Sequence, residues 1–195
     1  MLPDDGYDEI FTDLDLAEAV LTGRSFEDCT FSNCKLNNAN LQHCRFLRCR
    51  FENCDLSLSD ISFSSFCQSS FFDCRLLGLN WAAAAWENCR FGKPLFFKGC
   101  LLNHSTFIGL ELAGLNLTDC QAHDVDFRQA KLSKANFSGS DLAEAIFHET
   151  DLSQADLRSA RNYRINPGEN NISKARFALP EALGLLYSLD IRLDE

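Results

Sequence analysis

The sequence predicts a repeat solenoid, and three observations carry that prediction. The first is an unbroken period of five: Phe11, Leu16, Leu21, Phe26, Phe31, Leu36, Leu41, Phe46 and onward through Trp81, Trp86, Phe91 and Phe96 are all large and apolar. With apolar residues at 46% of the chain, about 18 consecutive hits have chance odds on the order of one in a million. The second is a class of small residues two positions earlier, including Cys29, Cys34, Ala39, Cys44, Cys49, Cys54, Ser59, Ser64, Ser69 and Cys74. The third is composition: 17 Phe against one Met, and ten Cys against four His, are proportions that ordinary α/β enzymes do not need. Neither a helix, with period 3.6, nor a simple strand, with period two, produces a period of five.

Units such as Ala39-Asn40-Leu41, Ala135-Asn136-Phe137 and Ala155-Asp156-Leu157 resemble those of the pentapeptide-repeat family, from about residue 9 to residue 161. The resemblance implies an all-β fold, a right-handed quadrilateral β-helix with one pentad on each of four sides. Four sides demand a second period of twenty, which the residues supply. One side carries Phe26, Phe46, Phe66 and Trp86; the next carries Phe11, Phe31, Phe51, Phe71 and Phe91; Leu16, Leu36, Leu56, Leu76 and Leu21, Leu41, Ile61, Trp81 fill the others. Coils stacked about 4.8 Å apart bury like against like. Outward charges alternate at the same spacing in Asp15, Lys35, Asp55 and Arg75. After Phe96 the phase moves by one, to Phe97, Leu102, Phe107 and beyond, which reads as one inserted residue near Gly92-Lys93-Pro94, within a bulge at 92–100. On that reading Phe107, Phe127 and Phe147 continue the Phe26 to Trp86 ladder.

A single solenoid over residues 1–178 is expected, with a loop at 161–171 where the pattern dissolves, followed by a helix and tail over 179–195. Pro180 ahead of Glu181-Ala182-Leu183 reads as the start of a short capping helix. Its apolar stripe, Leu183, Leu186, Tyr187 and Leu189, closes the last coil and leaves surplus surface to join two chains end to end as a homodimer.

The ten Cys suggest neither metal nor disulfide. Nine of them, all but Cys67, fall at the small inward position, their spacing is the repeat period, and the four His do not recur with them. They are expected as buried thiols. No nucleophile elbow, phosphate-binding loop or zinc-protease motif is present, so no catalytic residues, metal or cofactor are expected. The net charge of −10 and pI near 4.8 argue against direct nucleic-acid binding and against an anionic membrane. The acidic start MLPDDGYDEI has no basic n-region or apolar h-region, so the chain is expected to be unexported and cytoplasmic.

Charge is segregated along the chain. Acids Asp4, Asp5, Asp8, Glu9, Asp13, Asp15 and Glu18 precede the first base, Arg24, and read as a solvated cap. A second group on later coils includes Glu111, Asp124, Asp126, Asp141 and Asp151. Asn53-Cys54-Asp55-Leu56-Ser57-Leu58-Ser59 with Leu77-Gly78-Leu79-Asn80-Trp81, and the ending from Asn162-Tyr163-Arg164 through Pro180-Glu181-Ala182 to Leu189-Asp190-Ile191, resemble a branch of the family that includes albicidin-resistance and microcin B17 immunity proteins. That resemblance implies a dimeric DNA mimic that binds DNA gyrase and protects it from topoisomerase poisons; the five acids, on later coils nearer the expected dimer centre where two negative fields overlap, are expected to face the enzyme. The competing expectation is a rigid protein-interaction scaffold that never touches gyrase. The resemblance lacks the two long loops of the plasmid quinolone-resistance proteins, since only a one-residue slip is read here.

Overall fold

The computed structural model of the chain describes residues 2–86, 89, 95–189 and 191. It is a parallel β-solenoid whose geometry follows from one backbone event repeated every fifth residue. From Asp8 through Asp13, Glu18, Gly23, Asp28 and Asn33 to Asp73 and Gly78, each fifth residue holds φ between +51° and +77°. That left-handed conformation turns the chain through a corner, and two inward residues lie between successive corners. Most of the corner residues are Asp, Asn, Gln, Glu or Gly, types that tolerate the conformation or hydrogen-bond locally within it.

Stacking the coils pairs the flat sides. Strands β1 (Asp5–Tyr7), β3 (Ser25–Glu27) and β5 (Arg45–Leu47) form one parallel ladder. Strands β2 (Ile10–Thr12), β4 (Thr30–Ser32), β6 (Arg50–Glu52), β7 (Ser70–Phe72), β8 (Phe96–Lys98) and β9 (Asn116–Thr118) form a second. The other sides pair through single bridges, one of which climbs the rod as Asp15, Lys35, Asp55, Arg75, Leu101, Gln121, Asp141 and Arg161. The alternating charges expected on this side do face one another, with Lys35 Nζ 3.3 Å from Asp15 and Arg75 Nε 3.3 Å from Asp55.

The interior is a set of ring stacks. Phe31, Phe51, Phe71 and Phe97 lie face to face at 5.0, 4.8 and 5.2 Å, close to the expected coil spacing. The small inward residues do more than fill space. Cys44 N–H donates to Ser64 Oγ (2.8 Å), and Ser140 Oγ accepts from Cys120 N–H (3.0 Å) and donates to the Leu117 carbonyl (2.7 Å). Thr150 and Asn170 reach the carbonyls of Phe127 and Phe147 in the same way. A thiol, hydroxyl or amide at this position satisfies a buried amide or carbonyl of the preceding coil.

The irregularity is larger than one residue. Ser70 pairs with Phe96, Arg75 with Leu101 and Asn80 with Thr106, each 26 residues on, so six residues are inserted between Ala84 and Leu95. By register they fall between the Trp81 side and the Phe97 side, where the Phe26, Phe46 and Phe66 ladder would continue. Phe107 therefore stacks on Trp81 (5.8 Å, 11°), with Phe127 and Phe147 beyond it, and does not extend the Phe26 ladder. Trp86 is only partly buried, and its Nε1 donates to the Trp81 carbonyl (2.8 Å). Phe91, expected on the Phe11 ladder, lies outside the described residues.

Two further expectations are corrected. Cys89 lies in the inserted stretch and not at an inward repeat position, and it forms a disulfide with Cys67 (Cα–Cα 5.1 Å); the other eight Cys are buried and free. The C-terminal cap is not an α-helix but two short 3-10 turns, Glu181–Leu185 and Tyr187–Leu189. Gly184 interrupts a segment already too short for a stable helix, and none of Glu181–Leu185 is fully buried, Leu185 alone packing partly against the core. The 161–171 stretch keeps register even though its pattern dissolves: Asp151 pairs with Asn171, and Tyr163 and Ile165 fill the interior.

Phe66 is fully buried between Phe46 (5.0 Å) and Trp81 (5.4 Å). Phe66→Ala should lower unfolding free energy by about 3–5 kcal/mol in urea titrations, and a loss below about 1 kcal/mol would refute that burial. Gly99 provides a backbone test. Its φ is +68°, and a Cβ there would run into Asp73 Oδ1, so Gly99→Ala should cost more than Gly109→Ala, where φ is also +68° but the space is open. Equal losses for the two would show that only the torsion matters.

Candidate functional site

The solenoid has a filled interior, so its candidate site is its surface. The described residues contain no group of three or more His, Cys, Asp and Glu able to hold a metal ion. An open groove of about 770 Å³ lies at the C-terminal end, between Ala143–Phe147 and Asn162–Asn166. No helix among the described residues is long and apolar enough to cross a membrane.

The structure distributes the five sequence-selected acids over three sides and does not bring them together. Glu111 is exposed on a ladder with Lys131 and Asp151, so its neighbours alternate in sign. Asp151 accepts from Asn171 Nδ2 (2.9 Å) and Ser153 N–H (3.0 Å). Asp124 occupies a left-handed corner with His104 Nδ1 at 3.7 Å. Asp126, on the next side, is gripped by Arg128 through Nε at 3.0 Å and Nη2 at 2.6 Å. Burial raises its pKa, but the bonds from the Arg128 guanidinium and amide outweigh that and hold it below the usual carboxylate range.

Asp141 is the most heavily bonded acid. Arg161 Nε lies at 3.0 Å, Asn162 Nδ2 at 2.8 Å and His123 Nε2 at 3.3 Å. Burial works against its charge, yet the donors prevail and hold its pKa at about 2. Asp126 and Asp141 are thus partly neutralised by arginines of the same or the adjacent coil. The 111–156 stretch still holds nine acids against three bases, while 157–189 holds two against five.

One rule orders the Arg and Lys bridges between coils. In Asp4–Arg24, Asp15–Lys35, Asp28–Arg48, Asp55–Arg75, Asp141–Arg161, Glu144–Arg164 and Asp156–Arg176 the base lies on the coil after the acid. The first coil therefore contributes acids and no base. Seven acids lie in residues 2–23, and among the described residues no Lys, Arg or His comes within ion-pair distance of Asp5, Asp8, Glu9, Asp13 or Glu18. The sequence had shown this run as a solvated cap; its lack of cationic partners became visible only once the coils were stacked.

A four-sided coil of five-residue units, hydrogen-bonded in parallel and filled by one small and one large residue per side, defines a class of β-solenoid. Residues 24–96 and 83–157 match the pentapeptide repeat region, and the chain belongs to the pentapeptide-repeat family. Solved structures with the same fold include full-length QnrB1, a plasmid-mediated fluoroquinolone resistance protein. It is 17% identical with a TM-score of 0.67, and the match covers 96% of this chain and 90% of that one. A trypsin-treated form of QnrB1 matches at 19% identity and a TM-score of 0.64, over 98% and 92% of the two chains. HetL of Nostoc sp. strain PCC 7120, involved in heterocyst differentiation regulation, is 18% identical with a TM-score of 0.40, over 88% and 81%. No curated protein matches in sequence.

The Asp141 network is directly testable. Its native carboxyl is held below the ordinary value of 3.8, so the stabilisation it gives is complete above that pH and is lost as pH falls through about 2. NMR titration should place Asp141 near that lower value and move it upward in Arg161→Ala. An unmoved titration in the variant would show that Arg161 does not hold the carboxylate.

Proposed function

We propose that this protein binds a type II topoisomerase of the gyrase class and lessens its inhibition by a poison, acting in the cytoplasm as a rod whose acidic surface competes with duplex DNA. The observation that carries the proposal is a whole-length fold likeness to QnrB1 in a chain of net charge −10. Charge density limits how mimicry could work. Duplex DNA presents roughly three charges per ~4.8 Å of axis, whereas −10 along this rod is roughly one per coil. The competing surface must therefore be a concentrated one, and Glu111, Asp124 and Asp151, which have no arginine partner among the described residues, are its best members within the 111–156 stretch.

The proposal includes a homodimer formed end to end through the C-terminal turns. In a 3-10 turn residues three apart lie in line, so Leu183, Leu186 and Leu189 share one ridge, with Leu183 and Leu189 exposed at 43% and 47%. Two copies joined there would reach ~80 Å and carry twice the charge. The Tyr187 side chain, expected in the same interface, lies outside the described residues. A rigid scaffold is the second reading, and it is favoured by the pairing of Asp141 and Asp156 with arginines of the next coil, which uses lateral charge to hold coil register.

A gyrase supercoiling assay with a poison separates the two. Added protein should restore supercoiling, with the effect weakening from roughly 50 to roughly 300 mM salt as screening shortens to within a few ångströms. Glu111→Gln, Asp124→Asn and Asp151→Asn together should reduce the protection. Protection that ignores both salt and these changes would exclude DNA mimicry even with gyrase as partner, and no protection at all would leave the scaffold. Light scattering at micromolar concentration should give a dimer mass that Leu186→Asp reduces to a monomer; a wild-type monomer would refute the end-to-end joint.

A further inference from the structure

We propose that the N-terminal edge of the solenoid, the strip formed by β1 and β2, docks an extended basic segment of a partner protein. This goes beyond the gyrase reading and does not depend on it, since the strip is separate from the acids of residues 111–156. Three independent features converge there.

The first is the backbone. In the ladders, β1 pairs only with β3 and β2 only with β4, so both are edge strands. Between the first two coils, Thr30, Lys35 and Asn40 N–H donate to the carbonyls of Glu9, Leu14 and Ala19. By the same twenty-residue register, Ile10, Asp15 and Val20 N–H point along the rod away from the stack, toward whatever lies against that end. An edge of this kind accepts another strand.

The second is side-chain type. The outward position held by Ile10 is Thr30, Arg50 and Ser70 in the next three coils. On the first coil this position is large and apolar, and with Tyr7 across the corner on β1 it is open: Ile10 is 74% and Tyr7 69% exposed. Such residues lie beside the edge where an added strand would place its own outward side chains, so each gains a cross-strand neighbour on docking.

The third is charge, which selects the occupant. Asp5, Asp8, Glu9 and Asp13 line the same strip without a cationic partner, while Arg24 ties Leu2 and Pro3 back to the second coil through its Nη1 at 2.6 Å from each carbonyl. A second copy meeting edge to edge would bring seven acids against seven, so the same end of another molecule is disfavoured. A Lys- or Arg-bearing segment with apolar residues between its charges satisfies the backbone, the apolar pair and the carboxylates together.

The test uses the full chain and a labelled synthetic peptide of alternating Val and Arg, with a Val–Glu peptide as its opposite-charge control. Anisotropy should show binding of the Arg peptide alone, and hydrogen exchange at Ile10 and Thr12 should slow in the complex. Asp8→Asn, Glu9→Gln and Asp13→Asn together should weaken binding by at least about tenfold, because three charge-assisted contacts are removed. Asn tolerates the left-handed corners at positions 8 and 13, so this variant keeps its fold, which circular dichroism checks. Glu111→Gln, Asp124→Asn and Asp151→Asn together should bind the peptide like wild type. Equal weakening in the two triple variants would mean diffuse charge attraction and overturn the proposal. Failure of the wild type to bind, or binding without protection at β2, would overturn it as well.

Discussion

Everything in this molecule depends on a backbone constraint that costs energy. A non-glycine residue in the left-handed region is disfavoured by roughly 1–2 kcal/mol, and the chain takes that conformation at nearly every fifth residue. Only a structure that repays each corner at once can persist, and the coil does so by pairing every flat side with its neighbour above and below while burying two residues. Corners, ladders and core are therefore one device. Through 161–171 the corner moves to Asn162 and the inward pattern of the sequence lapses, yet the twenty-residue pairing holds on either side, from Asp141–Arg161 to Asp151–Asn171.

The six-residue insertion shows how much the device tolerates. Around it the rings gather on Trp81, which meets Phe66, Phe71 and Phe97 edge-on at 5.3–5.6 Å and stacks on Phe107. The aromatic column thus crosses from one side of the rod to another. Before the insertion Phe26, Phe46 and Phe66 occupy the side where it falls; after it Leu112, Leu132 and Leu152 do. The volume exchanged between neighbouring sides keeps the cross-section filled, as close packing requires.

Most of the fold was legible because a period of five together with a period of twenty leaves few alternatives. What misled was arithmetic: an insertion of six shifts a five-residue pattern by the same single step as an insertion of one. Trp86, apolar and in phase, concealed the difference. Phe97 was the clue, since a one-residue slip would set it on the Leu76 ladder, whereas the insertion of six returns it to Phe71. The candidate site was less legible for a different reason. Whether an acid is available to a partner depends on what the next coil places beside it. Asp141 and Glu111 look alike in the sequence, yet one is held by Arg161, Asn162 and His123 and the other is exposed. The disulfide between Cys67 and Cys89 was hidden because the repeat phase had put Cys89 in the wall of the coil.

The column formed by Cys34, Cys54, Cys74, Cys100 and Cys120 has a use that its packing role does not suggest. The hydrogen shared with the next thiol, together with burial, pushes Cys74 and Cys100 up to about 12, so neither offers a reactive thiolate while its coil is closed. Alkylation then measures how often a coil opens, and each cysteine reports its own level of the rod. Because a solenoid coil contacts only its neighbours, opening can begin at an end and travel inward. The molecule is accordingly graduated along its length, and the order in which its thiols react records the direction in which it comes apart.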